Sequence, residues 1–241
     1  MPRSPSLVRL LPFVLLAVLV AAGLYYSHPM ALRLQNAGHV LLARSLYLIS
    51  AVAGNPKSQY TLATLHIKGE GGPPNPASAA YWYARAARQG DVISAEALGE
   101  LYSGGFEGMP KDGEKARHWY QQAAERNLPA AQYGLAALHA SGELVPRDLT
   151  QAEFWYLKAA RRGHAKAQLE LGLLYLNQPG SSAGLKGAQV WLTEASRQAQ
   201  TAAAARNHLS DLCRANPALN CQLTSAGPSL GALLPPARRR L

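Results

Sequence analysis

The chain has 241 residues, 48% of them hydrophobic, and a formal net charge of +10. That is too apolar for an intrinsically disordered chain, and the length suits one domain or a short repeat array. β-Branched residues are sparse beyond the N-terminal segment, which favours helix over strand.

Residues 1–26 stand apart. Arg3 and Arg9 precede an uncharged apolar run, 10–26. As a helix it would span about 25 Å, slightly short of the roughly 30 Å hydrocarbon core. Tyr25 and Tyr26 suit an interfacial anchor, whereas Val20-Ala21-Ala22 offers a signal-peptidase site. The segment is therefore a signal-anchor or a cleaved signal peptide. Either one sends the remainder out of the cytoplasm, because the two arginines favour an inside N-terminus. The expected location is the inner membrane, single-pass with a periplasmic domain. The alternative is a periplasmic or secreted chain after cleavage.

The four tryptophans, Trp82, Trp119, Trp155 and Trp191, fall 37, 36 and 36 residues apart. A fixed period of this size marks stacked repeats. Leu62, Leu98, Leu135 and Leu171 form a second column, and Leu65, Leu101, Leu138 and Leu174 a third. Each unit reads as two helices. Helix A carries the leucines at i and i+3 with a small residue between them. Helix B carries Ala, Trp and then an Ala pair along one stripe. Gly69, Gly105 and Gly142 follow helix A, and Gly90, Asn127 and Gly163 follow helix B, all suited to left-handed C-terminal caps. Asn75-Pro76, Asp112 and Asp148 suit helix B N-caps. The comb extends backwards through Ala43, Tyr47, Ala51 and Gly54, so 27–54 is expected to be an N-terminal cap. Repeats occupy 55–199, and the fourth departs from the pattern after Tyr175. A C-terminal capping helix with a cysteine pair follows over 200–221, then a disordered basic tail, 222–241. Cys213 and Cys221 flank Asn216-Pro217 and are expected to pair in an oxidising compartment.

These motifs resemble the Sel-one-like repeat family, a relative of the tetratricopeptide repeat. LGELYSGG at 98–105 and KDGEKARHWYQQAA at 111–124 follow its pattern closely, as do AEFWYLKAARRG at 152–163 and AAYWYARAARQG at 79–90. The resemblance implies an all-α, right-handed superhelical solenoid of about four helix pairs. It also implies an adaptor in membrane-associated assemblies. A fold of this kind does not dictate what it binds.

No Ser-x-x-Lys, Lys-Thr-Gly, phosphate loop or His-Glu-x-x-His motif occurs. Some family members are linked to β-lactam hydrolysis, and that chemistry wants the first two. The sequence therefore suggests no catalytic residue, cofactor or metal. His66 and His139 fall in the Tyr column of helix A and are expected to pack. The tryptophans, with Ala neighbours in fixed columns, are expected in the core.

Helix A usually lines the binding face of stacked helix pairs. Outside its leucine columns lie Gln59, Tyr60, Thr64, Glu96, Glu100, Gln132, Tyr133 and Gln168, the expected partner-binding set. A stripe of Arg88, Arg126, Arg161, Arg162 and Arg197 near the ends of helix B complements the helix dipole. It could also meet an anionic polymer or lipid. The sequence points to a non-catalytic protein–protein interaction scaffold of the bacterial cell envelope, with a protein partner there, the membrane engaged through 10–26, and no nucleic acid. The alternatives are a cell-wall or polysaccharide-binding module using Tyr60, Tyr133 and the arginines, and, further off, a β-lactam hydrolase-like enzyme.

Overall fold

The computed structural model describes residues 27–177 and 182–219. The leader, 1–26, lies outside the described residues, as do Cys221 and the basic tail. The chain is all-α. Helix α1, described over 27–36, precedes α2 (Val40–Val52), α3 (Pro56–Lys68), α4 (Pro76–Arg88), α5 (Val92–Gly104) and α6 (Gly113–Glu125). Next come α7 (Pro129–Ser141), α8 (Leu149–Arg161), α9 (Ala165–Leu176), α10 (Ser182–Ser196) and α11 (Ala202–Ala215). The only β pairing among the described residues is a single bridge, Phe106 to Met109. Two compact units form, 1–122 and 123–241, with the boundary inside α6.

The first unit packs α2 on α3, α3 on α4 and α4 on α5. Helix starts are fixed by side-chain caps. Asn75 Oδ1 accepts from Ser78 N at 2.9 Å, and Asp112 Oδ1 from Lys115 N at 3.0 Å. Helix A has caps of its own that the sequence reading missed: Asn55 Oδ1 accepts from Ser58 N at 3.1 Å and Asp91 Oδ2 from Ser94 N at 2.9 Å. Each such cap contributes about 1 kcal/mol. Gly99 sits where the Tyr120 ring passes, and a Cβ there would lie 2.4 Å from Tyr120 Cδ1. The small residue between the leucines thus admits a ring of the next helix. At the N-terminal end, α1 is pinned by His28 Nδ1 against Ser58 Oγ (2.7 Å), a hydroxyl that donates to Ser50 Oγ (2.8 Å). Tyr47 Oη donates to Gln35 Oε1 at 2.9 Å.

The second unit packs α7 on α8, α8 on α9, α9 on α10 and α10 on α11. Asp148 Oδ1 accepts from Thr150 N and Gln151 N, both at 3.0 Å. Asn127, between α6 and α7, has φ of +67° and is the one non-glycine with positive φ among the described residues. Asn tolerates this left-handed conformation better than other side chains, so it replaces the glycine used at the matching ends, Gly90 and Gly163. Gly69 and Gly142 are left-handed caps, but Gly105 has ψ of 163° and so does not form the expected αL cap. There the chain turns directly into the Phe106–Met109 bridge. Leu209 and Leu212 of α11 close the core against Ala188 and Leu192 of α10. All four Trp side chains are buried, Trp191 most completely at 1% exposure.

Candidate functional site

In the first unit, α3, α4 and α5 bring Tyr60, Thr64, Tyr83, Glu96 and Glu100 into one neighbourhood. Helical spacing puts Tyr60 and Thr64 on one face of α3, and Glu96 and Glu100 on one face of α5. The Tyr83 ring tilts against Tyr60 with centroids 5.6 Å apart, and its hydroxyl lies 3.0 Å from Thr64 Oγ1. Burial pushes the Tyr83 phenol up, and the Thr64 hydrogen bond partly offsets this. Glu96 is half-buried beside Glu100. Desolvation first, then the like charge of Glu100 and the hydrogen bond that protonated Glu96 donates to it, push its carboxyl up to about 7. Among the described residues no cation forms a salt bridge with either carboxylate. The face therefore offers a tyrosine pair next to two acids, one of which, Glu96, is about half protonated at neutral pH.

The second unit repeats the aromatic part with different charges. Tyr133 tilts on Tyr156 at 5.9 Å and stacks on His164 at 4.9 Å. His164 caps α9, with Nδ1 accepting from Ala167 N at 3.2 Å, and both burial and nearby Lys166 hold its pKa below the usual histidine value. Glu170 is raised by burial, and His208 opposes that shift.

The glutamines in the expected partner-binding set must be corrected. Gln59 and Gln132 have no exposed surface and Gln168 has 4%. Their amides clip each helix A to the helix before it. Gln59 Nε2 donates to the Ala51 carbonyl (2.9 Å), Gln132 to Ala124 (3.1 Å) and Gln168 to Ala160 (3.2 Å). These are structural contacts, out of a partner's reach. A polar residue beside a leucine column looked solvent-facing in the sequence, yet each amide fills the second acceptor site of a last-turn carbonyl that already takes Gly54, Asn127 or Gly163 N. Tyr83, Tyr156, His164 and Glu170 were the residues missed. The signal for the two tyrosines was present, since each follows a comb Trp.

Of the arginine stripe, Arg162 donates to Asn127 Oδ1 (2.8 Å) and Arg197 pairs with Glu194. His66 Nδ1 lies 3.2 Å from the Arg44 guanidinium. Among the described residues no group of three His, Cys, Asp or Glu could hold a metal ion. Gly180-Ser181-Ser182-Ala183-Gly184 has the Gly-x-Ser-x-Gly spacing of a nucleophile elbow. A nucleophile elbow joins a strand to a helix. The described part of this run, from Ser182, opens α10, and no strand precedes α10 among the described residues.

The Sel1 repeat family model matches residues 56–91, 92–128, 129–164 and 165–199. The chain belongs to the Sel1 repeat family. It is similar in structure to a protective antigen of uropathogenic Escherichia coli strains displaying an SLR fold, with TM-score 0.68 and 28% identity over 78% of this chain. The match spans 40% of that antigen's length. A Sel1 repeat protein from Oxalobacter formigenes is also similar, with TM-score 0.66 and 25% identity over 84% of this chain and 82% of its own. No curated protein matches by sequence. Sel1 repeats generally mediate protein–protein interaction, and the family is generally a non-catalytic scaffold.

Proposed function

We propose that this Sel1 repeat protein is a non-catalytic adaptor of the bacterial cell envelope, and that it holds a basic segment of a protein partner on the first unit's tyrosine–carboxylate face. One observation carries the reading: Tyr60, Tyr83, Glu96 and Glu100 converge while neither carboxylate forms a salt bridge among the described residues. A Lys or Arg side chain supplies that charge, and the tyrosine rings add cation–π contact of about 0.5–2 kcal/mol. Among the described residues no helix is long and apolar enough to cross a membrane. The anchor in this proposal is the run 10–26 behind Arg3 and Arg9, which places the repeats on the periplasmic side.

Affinity capture from detergent-solubilised membranes tests the adaptor role, with the wild-type chain beside a Y60A/E96Q/E100Q variant. A partner enriched by wild type and lost with the variant supports it. No partner above background, or the same partners from both, contradicts it. Sedimentation of the same two proteins with purified wall material separates the polysaccharide-binding alternative.

A further inference from the structure

Helix α2 is apolar almost all the way round. Ala43, Tyr47, Ser50 and Ala51 point into the first unit. On the other side Leu41, Leu42, Leu48, Ile49 and Val52 are exposed, Leu41 to 70%. At 100° per residue these five fall within one stripe about 120° wide. Ser45, in the middle of that stripe, turns its hydroxyl back onto the Leu41 carbonyl at 3.1 Å. The helix has one charged side chain, Arg44, and it points inward to the Gly71 carbonyl. Met30 and Leu32 of α1 are also about half exposed. Soluble surfaces seldom carry so contiguous an apolar stripe without a covering partner.

Charge and position indicate what covers it. The first acidic residue of the chain is Glu70, whereas Arg3, Arg9, Arg33, Arg44, Lys57 and Lys68 precede it. Arg33 and Lys57 are exposed. The apolar run 10–26 directly precedes the described part of α1 in the sequence. An exposed apolar stripe within a cationic, acid-free stretch matches the composition of an interfacial helix on an anionic bilayer. A second copy of this chain fits less well, since two acid-free cationic surfaces would repel. With 13 residues α2 is about 20 Å long, too short to span a bilayer and long enough to lie along one.

We infer that the exposed face of α2, with Met30 and Leu32, lies on the surface of an anionic membrane and holds the first unit against it. This goes beyond the adaptor reading and rests on its envelope location. The test reconstitutes the full chain into phosphatidylcholine vesicles containing phosphatidylglycerol and a photoactivatable lipid, and maps lipid adducts by mass spectrometry. Adducts on 30–52 are expected. An L48E/V52E variant, both changes at exposed positions, should fold with unchanged circular dichroism and lose those adducts roughly tenfold. Adducts confined to 10–26 would overturn the inference while leaving the anchor standing. Adducts on 30–52 without any on 10–26 would support it and remove the anchor. A wild-type dimer that the L48E/V52E variant abolishes, with no lipid adduct on 30–52, would overturn it in favour of a second copy.

Discussion

The two units carry the same scaffold columns and differ in what surrounds their paired tyrosines. Beside Tyr60 and Tyr83 stand two carboxylates that form no salt bridge among the described residues. Beside Tyr133 and Tyr156 stand His164, stacked on the ring, and Glu170, opposed by His208. At the sequence position of Glu96 the next repeat has Tyr133, and at that of Glu100 it has Ala137. Columns that fill the core tolerate little change because interiors are close-packed. Columns on the helix A face are free to vary, and the variation leaves the first unit with an acidic pair that forms no salt bridge among the described residues.

The scaffold can be broken in either unit with the largest effect. Trp191→Ala should destabilise the second unit by about 3–5 kcal/mol, read from urea unfolding by circular dichroism. The same loss from Trp82→Ala in the first unit would show that the columns are energetically equivalent. Gly99→Val should cost about 1–3 kcal/mol or more by driving a side chain into Tyr120. A neutral result would mean that the ring does not pass there.

The buried glutamines sharpen the comparison. Gln59 uses both ends of its amide, since Oε1 also accepts from Gln89 Nε2 at 2.7 Å. Gln132 Oε1 and Gln168 Oε1 are buried without a partner. Gln59→Leu removes two hydrogen bonds, leaving the Ala51 carbonyl with Gly54 N and the Gln89 amide with the Arg85 carbonyl, and should cost about 1–2 kcal/mol. Gln132→Leu removes an unsatisfied acceptor along with the clip and should cost less. Equal losses in the two variants would contradict the assignment.

Protonation separates the two faces next. Glu96 folds with its pKa raised from 4.5 to about 7, so the folded state favours the protonated carboxyl. Stability contributed by this group therefore declines as pH rises from about 4.5 through about 7. A bound cation reverses the preference, so affinity for a Lys- or Arg-rich peptide should rise between pH 5.5 and pH 8, with proton release on binding in calorimetry. E96Q should flatten that rise by roughly an order of magnitude in Kd. A pH-independent Kd for wild type would show that the acidic pair is not the contact. The smallest effect belongs to Asn127. Asn127→Ala should cost about 1 kcal/mol through its left-handed backbone, and Asn127→Gly should be close to neutral.

Much of the scaffold was legible in the sequence because packing imposes a period. The Trp comb placed helix B, Asp112 and Asp148 marked its starts, and Asn127 stood where a glycine was expected. The glutamine clips were not legible, because a Gln that meets a buried carbonyl eight residues back looks the same as one facing water. His164 as an N-cap was hidden too, since it needs a ring nitrogen to replace the usual carboxylate or amide oxygen. Tyr60, Thr64, Glu96 and Glu100 could be assigned to helix A faces by column. Their convergence on Tyr83 needed the fold, since that contact crosses between helices. The cysteine pair and the leader remain expectations of the sequence, with Cys221 and 1–26 outside the described residues.

The adaptor account is tested most directly by photo-cross-linking in living cells, with a photoreactive phenylalanine at Tyr60 and, separately, at Tyr81, an exposed position one residue before Trp82. The account predicts a discrete protein adduct from position 60 that E96Q/E100Q weakens, and none from position 81. Adducts of equal yield from both positions, or from 81 alone, would contradict it.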